Sequence, residues 1–201
     1  FGYWKDTGIR MKGAAVWSFT CMFLEMWNAI KKTDTDYTAY FPEITYTAKQ
    51  TGYVQPYADN PLDDEHTGEN VYMNVLNSAR EYAYFITPYL LISDEMKKAF
   101  TLAARRGVDV RIITPGIPDK KFVYQATRSY YNRLVKKGVR IFEYTPGFCH
   151  AKQCVSDDKA AVVGTINLDY RSLYHHFENA AAFYHKDAVA GVKAGFDHLF
   201  E

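Results

Sequence analysis

The sequence lacks three features that would each point to a particular class of protein: a long apolar run, an excess of charge of one sign, and a cysteine framework. No stretch of its 201 residues approaches the about 18 consecutive apolar residues of a membrane-spanning helix. The 24 basic and 23 acidic residues give a net charge of +1, which argues against a dedicated duplex nucleic-acid binder. Cys21, Cys149 and Cys154 are odd in number and lack framework spacing, so we expect reduced thiols in a reducing compartment.

What the sequence does contain is the regular alternation of an α/β protein. Hydrophobic residues make up 48% and charged residues 23%, which is typical of a globular chain with a substantial core. Helices are predicted over 13–30, 70–82, 94–106, 119–137 and 187–200, and strands over 84–87, 108–114, 139–144, 150–156, 160–164 and 178–184. The first three strands alternate with helices and should be parallel, whereas the next two, separated by a short turn, should form a hairpin. We therefore expect a mixed β-sheet flanked by helices.

The residues that carry chemistry lie on this predicted hairpin. On a strand, His150 and Lys152 would share a face, which suits an anionic phosphoryl group: the ammonium neutralises its oxygens while the imidazole attacks phosphorus or passes a proton. Thr165 after Gly164 offers a hydroxyl, and Asn167 offers an amide donor. The pattern predicts a phosphate-binding pocket with a nucleophile.

The spacing His-x-Lys-x4-Asp-x6-Gly-Thr-x-Asn over 150–167 resembles the HKD motif of the phospholipase D superfamily. The segments that flank this motif, and others in the chain, resemble those of one group within the superfamily, the bacterial cardiolipin synthases. The flanking segments are Asn167-Leu168-Asp169-Tyr170-Arg171-Ser172, Phe177-Glu178, Ile86-Thr87-Pro88-Tyr89, Arg105-Arg106-Gly107-Val108-Asp109-Val110-Arg111 and Gly138-Val139-Arg140-Ile141-Phe142-Glu143-Tyr144. The resemblance implies a phospholipase D-like α-β-α sandwich over 51–201. Residues 1–50 would be the tail of a preceding half and a linker, so the chain would be the C-terminal half of a two-motif enzyme.

The resemblance also implies roles for individual residues. His150 would be nucleophile or general acid, and Glu178 would be the carboxylate that orients it. Lys152 and Asn167 would contact the phosphate, as would the hydroxyl of Thr165, which stands where Ser is usual. Asp157 is the motif aspartate, but its place at the hairpin turn favours a structural role. A further departure, Ile92-Ser93 in place of Val-Pro, affects the site only indirectly.

The reaction implied is transfer of a phosphatidyl group between two phosphatidylglycerol molecules through a phosphohistidine, giving cardiolipin without a metal or other cofactor. The partners implied are the phospholipid and the missing N-terminal half with the first HKD motif; no nucleic acid is expected. The full-length protein would act at the cytoplasmic face of the cell membrane.

Other interpretations of the same residues stay open. The chain could be a phosphodiesterase or nuclease of the same superfamily, for which a basic groove is expected. It could instead be a catalytically silent fragment, because one histidine cannot be both nucleophile and leaving-group acid; a homodimer could restore a two-histidine site. A zinc site at Cys149, His150 and Cys154 is disfavoured, because strand parity separates Cys149 from His150 and no fourth ligand is suitably spaced.

Overall fold

The computed structural model describes residues 2–47, 52–184 and 186–201. The helices are α1 (Ala15–Lys31), α2 (Thr67–Ser78), α3 (Asp94–Arg105), α4 (Lys121–Val135), α5 (Tyr170–Tyr174) and α6 (Lys186–Phe200), with a 3-10 turn at Tyr37–Tyr40. The strands are β1 (Trp4–Lys5), β2 (Val54–Asp59), β3 (Tyr82–Ile86), β4 (Leu90–Leu91), β5 (Asp109–Pro115), β6 (Arg140–Tyr144), β7 (Phe148–Cys149), β8 (Gln153–Ser156), β9 (Ala160–Gly164), β10 (Leu168–Asp169) and β11 (Glu178–Phe183).

Seven of these strands form one mixed sheet in the order β2-β11-β9-β8-β3-β5-β6. The strands β3, β5 and β6 are parallel to one another, as the strand–helix alternation predicts, whereas β3 pairs with β8 in antiparallel fashion. The strands β8 and β9 form the predicted antiparallel hairpin. Two short parallel pairs stand apart from the sheet, β1 with β7 and β10 with β4. Both short pairs lie next to residues of the motif.

Helices cover both faces of the sheet, so the predicted α/β architecture is confirmed. On one face, α2, α3 and α4 bury Leu76, Phe100 and Leu134 against strand residues such as Phe85. On the other, α6 buries Phe196 against the opposite set of strand side chains. None of the helices in the described part of the chain has both the length and the apolar character that a membrane crossing needs.

Local signals place several helix ends where the sequence predicts them. The Ser93 hydroxyl accepts a 3.0 Å hydrogen bond from the Met96 N–H and caps α3. Gly107 follows α3 with φ of 91°, a left-handed conformation that glycine adopts without the steric cost of a Cβ atom. These caps fix where the chain turns back into β5.

Two of the differences from the predicted boundaries concern the motif. Residues 150–152 lie outside any strand, because the N–H groups of His150 and Ala151 both donate to the Lys5 carbonyl, at 2.8 and 3.1 Å. The prediction that His150 and Lys152 share a strand face is therefore wrong, although the two side chains do meet. The second predicted helix ends four residues early, at Ser78, because the Asp157 carboxylate binds the N–H groups of residues 80–82.

The predicted domain boundary between residues 50 and 51 lies outside the described residues. On its N-terminal side, β1 pairs with β7, in the register Trp4 with Phe148 and Lys5 with Cys149. The N-terminal segment is thus attached directly to the part of the chain that carries the motif.

Candidate functional site

The centre of the site is a direct contact between Lys152 and His150. The Lys152 Nζ lies 2.8 Å from Nε2 and 2.9 Å from Nδ1 of the His150 ring, and it donates to the His150 carbonyl oxygen at 2.6 Å. The lysine is buried, and this loss of water lowers its pKa, while the charges of Asp6 and Glu178 act in the opposite direction. A phosphoryl group placed at this contact would meet the ammonium and the imidazole together.

Asp6 holds the Nδ1 end of the imidazole. Its Oδ2 lies 2.8 Å from Nδ1 of His150, and the Trp4 ring packs against the same imidazole with 5.2 Å between centroids. Partial burial raises the pKa of Asp6, but its hydrogen bonds with His150 and the Thr7 N–H outweigh this, so the pKa is lowered. An ionised carboxylate on Nδ1 places the ring proton there and leaves Nε2 as the nitrogen that can react.

Sequence reasoning missed Asp6 because 144 residues separate it from His150. The sequence places Asp6 in the expected tail of a preceding half, and no motif spacing connects the two residues. What brings them together is the pairing of β1 with β7, which are only two residues each. Strands this short carry no periodic signal.

Glu178, expected to orient His150, has different partners in the structure. Its Oε1 accepts a 2.7 Å hydrogen bond from the Ser172 hydroxyl and lies 3.6 Å from Nδ1 of His176. The carboxylate on the His150 ring is that of Asp6 instead. Glu178 begins β11 opposite Asp59, and from this position it influences Lys152 by its charge.

Asn167 is held in place by bonds on both of its sides. The Tyr72 hydroxyl donates to the Ile166 carbonyl at 2.8 Å, and the Leu168 N–H donates to the Thr87 hydroxyl at 3.0 Å. The Asn167 N–H itself donates to the Ser172 hydroxyl at 2.9 Å. The side-chain Oδ1 of Asn167 is buried without a hydrogen-bond partner among the described residues, which is an uncommon and costly state for a polar atom.

The Thr165 hydroxyl is engaged with the main chain of Asn179. It accepts a 3.0 Å bond from the Asn179 N–H and donates to the Asn179 carbonyl at 3.2 Å. A phosphate would therefore compete with this carbonyl for the hydroxyl proton. The preceding Gly164 is required by the same close approach, since a Cβ there would collide with Ala180 and the Asn179 carbonyl.

Asp157 ties the hairpin turn to the start of β3. Its carboxylate accepts hydrogen bonds from the N–H groups of Arg80, Glu81 and Tyr82 at 2.7, 3.0 and 2.9 Å. Burial raises its pKa, but these three bonds outweigh that effect and the pKa is lowered. Asp157 also has a φ of 51°, a left-handed conformation that Asp tolerates better than most residues. Its contacts are those of a structural residue.

The two cysteines near the motif lie in the core. Cys149 and Cys154 are both buried, and burial raises the pKa of Cys149 to about 12 and that of Cys154 above its usual value. In the described ranges there is no cluster of three or more His, Cys, Asp or Glu side chains arranged to hold a metal.

The sequence of the chain matches that of a known protein family. The family described as "Cardiolipin synthase, PLD-like domain" matches residues 72–200, which is more than half of the chain. The chain belongs to this family. The match begins within α2 and extends through α6, so it contains Lys152 and His150 but not Asp6.

Relatives of this cardiolipin synthase-type domain cover nearly the whole chain. A Streptococcus mutans protein described as uncharacterized is 53% identical over 196 residues, 98% of this chain and 42% of that protein. A cardiolipin synthase of Listeria monocytogenes is 38% identical over 198 residues, 98% of this chain and 41% of that enzyme. The chain thus spans about two fifths of the length of the relatives it matches.

Solved structures agree with the family on the fold. A phospholipase D family member, Nuc from Salmonella typhimurium, superposes with a TM-score of 0.62 at 18% identity, covering 75% of this chain and 95% of that one. At this identity the likeness shows the fold alone. The cardiolipin synthase-type domain therefore has the phospholipase D-like α-β-α sandwich that the sequence predicts.

Proposed function

We propose that this domain transfers a phosphatidyl group from one phosphatidylglycerol to another through a phosphohistidine, forming cardiolipin. The observation that carries the proposal is the set of three contacting side chains: Asp6 on Nδ1 of His150, and the Lys152 ammonium 2.8 Å from Nε2. Membership of the cardiolipin synthase family supports a phospholipid, among the phosphodiesters that such a set could attack, as the proposed substrate.

In the first step, Nε2 of His150 bonds to the phosphorus of one phosphatidylglycerol while the bond from phosphorus to the glycerol oxygen breaks. Lys152 neutralises the non-bridging oxygens, which gain charge as the bond forms. Asp6 stabilises the positive charge that develops on the imidazole. The departing glycerol oxygen takes its proton from a general acid, and glycerol leaves.

In the second step, the free hydroxyl oxygen of another phosphatidylglycerol bonds to the same phosphorus and the phosphorus–nitrogen bond breaks. The hydroxyl proton passes to the group that served as acid, which is now a base. The products are cardiolipin and one glycerol, and His150 returns to its starting state. Asn167, held next to Ser172, would contact the phosphoryl oxygens during both steps.

The general acid must come from outside this set, because His150 is occupied as the nucleophile. We propose that a second histidine is supplied by the remaining part of a longer protein, since the chain covers only 41% of the Listeria enzyme. A second copy of this chain is the other source. The full-length protein would work at the cytoplasmic face of the membrane, where its lipid substrate lies.

The test is turnover of phosphatidylglycerol vesicles by the chain, alone and replacing the matching 198 residues of the Listeria enzyme. His150→Ala should abolish cardiolipin formation, whereas His198→Ala, which changes an exposed histidine on α6, should leave it unchanged. Activity that survives His150→Ala would contradict the assignment of the nucleophile. A faster reaction on DNA than on lipid at matched salt would contradict the substrate class.

A further inference from the structure

A cavity of about 410 Å³ lies beside the motif, and none of the steps above uses most of it. It is bounded by the segment after β3, the start of α4 and the loop that carries α5. Its polar walls are formed by Tyr89, Lys120, Asn167, Asp169, Arg171 and His176. Asn167 belongs both to this cavity and to the proposed phosphate contacts, so the two sites adjoin.

Two cations line the cavity. The Arg171 Nε donates to Nε2 of His176 at 2.7 Å, which leaves the two terminal nitrogens of the guanidinium directed elsewhere. Across the described ranges no carboxylate forms an ion pair with Arg171 or with Lys120. Both residues are exposed, and the terminal nitrogens of an Arg guanidinium bind an anion with paired hydrogen bonds.

The Arg171–His176 contact is itself held by the site. Since Nε2 of His176 accepts from Arg171, the ring proton lies on Nδ1, which faces Oε1 of Glu178 at 3.6 Å. Glu178 in turn accepts from the Ser172 hydroxyl at 2.7 Å. The guanidinium is therefore positioned by the same network that holds Asn167.

Hydrogen-bond acceptors line the cavity together with these cations. Oδ1 of Asn167 is buried and has no partner in the part of the chain that the structure describes. The Asp169 carboxylate binds the Ser172 N–H through Oδ1 at 3.0 Å, and its charge also reaches Lys152. An amide oxygen and a carboxylate are acceptors that a polyol hydroxyl satisfies.

We infer that this cavity binds the phosphoglycerol head group of the second, accepting lipid, with Arg171 and Lys120 on its phosphodiester and Asp169 and Asn167 on its hydroxyls. The inference rests on the proposed function. A phosphoglycerol group carries one negative charge and free hydroxyls, which matches a cavity with cations and acceptors. Asp169 lines the cavity and its charge reaches Lys152, so a hydroxyl bound beside Asp169 would lie on the side of the cavity nearest the proposed phosphohistidine.

Binding of the soluble head group, glycerophosphoglycerol, to the chain tests this directly by calorimetry and ³¹P NMR. We expect two sites, one lost in Lys152→Ala and the other weakened about tenfold or more in Arg171→Ala and in Lys120→Ala. Lys121→Ala removes the same charge one residue away, outside the cavity, and should change neither site. Lys120 has no side-chain bond in capping α4, so its variant should fold normally.

Further measurements distinguish a head-group site from a simple phosphate site. They also distinguish failure of this inference from failure of the proposed function. Asp169→Asn should weaken glycerophosphoglycerol but not inorganic phosphate, which has no polyol hydroxyls; equal weakening of both would contradict a head-group site. In vesicle assays, Arg171→Ala should lower the ratio of cardiolipin to phosphatidic acid, because water replaces the lipid acceptor. If glycerophosphoglycerol binds at a single site and only Lys152→Ala affects it, the inference is wrong. If the chain shows the Arg171-dependent site but gives no lipid turnover even when it replaces the matching 198 residues of the Listeria enzyme, the proposed function is wrong instead.

Discussion

The carboxylate of Asp6 and the imidazole of His150 lie 2.8 Å apart although 144 residues separate them in the chain. The contact depends on β1, a strand of two residues that pairs in parallel with β7. The N-terminal segment is thus part of the site, and it arrives from outside the matched range 72–200. This relationship gives the first prediction.

Replacing Asp6 by Asn should lower turnover of phosphatidylglycerol by about two orders of magnitude. The amide removes the negative charge that fixes the ring proton on Nδ1 and stabilises the imidazolium. Because Asp6 acts through His150, kcat should fall while KM changes little, and the dependence of kcat on pH should shift. Asp34→Asn alters an exposed carboxylate in the same N-terminal segment and should have no effect. An unchanged kcat in Asp6→Asn would show that the contact has no catalytic consequence.

Asp157→Asn should lower the free energy of unfolding by about 1–3 kcal/mol at pH 7, since three charge-assisted hydrogen bonds to main-chain N–H groups become weaker. The folded-state pKa of Asp157 is lowered, so its stabilisation is present above the unfolded pKa of about 3.9. It is lost as the pH falls through the folded pKa. Urea denaturation at several pH values should therefore show the variant and the parent converging as the pH falls below the unfolded pKa of about 3.9. A difference in unfolding free energy that stays constant across this pH range would contradict this role of Asp157. The control is Asp64→Asn, which changes an exposed carboxylate.

Ser172→Ala should destabilise the chain by about 1–3 kcal/mol, because it removes a hydrogen-bond partner from two part-buried groups. The Ser172 hydroxyl accepts from the Asn167 N–H and donates to Glu178, and the residue is 1% exposed. Ser129→Ala removes an exposed helix hydroxyl that bonds only within α4 and should change stability by less than about 0.5 kcal/mol. Equal effects of the two substitutions, measured by thermal unfolding, would contradict the network.

Glycine-to-alanine changes should have opposite signs at two positions. At Gly164 a Cβ would collide with the main chain of β11, and the resulting overpacking should cost about 1–3 kcal/mol. At Gly195, in the middle of α6, nothing lies within 4 Å of an added Cβ, so alanine should stabilise the helix by up to about 1 kcal/mol. Chemical denaturation of both variants measures the two changes. A neutral Gly164→Ala would show that β9 and β11 are not this close.

Local patterns predicted most of the architecture from the sequence. Ser93 caps α3 and Gly107 follows it, because capping chemistry is decided by neighbours in the chain. The parallel order of β3, β5 and β6 follows from strand–helix alternation. Such features need no knowledge of distant contacts.

The parts of the site that the sequence did not predict depend on distant contacts. Residues 150–152 leave the strand because two successive N–H groups bond the Lys5 carbonyl, and no periodicity carries that information. For the same reason the acidic partner of His150 is Asp6 and not Glu178. The motif spacing located the reacting residues, but their partners come from the tertiary fold.

The most direct test of the central claim is covalent trapping at His150. A short-chain phosphatidylglycerol would be mixed with the Listeria enzyme in which this chain replaces the matching 198 residues. The reaction would be stopped at alkaline pH within seconds and followed by peptide mass spectrometry. We predict a phosphatidyl adduct on the peptide that contains His150, absent in His150→Ala and retained in His198→Ala. An adduct on another residue, or cardiolipin formation by a chain whose His150 is never modified, would contradict the phosphohistidine mechanism.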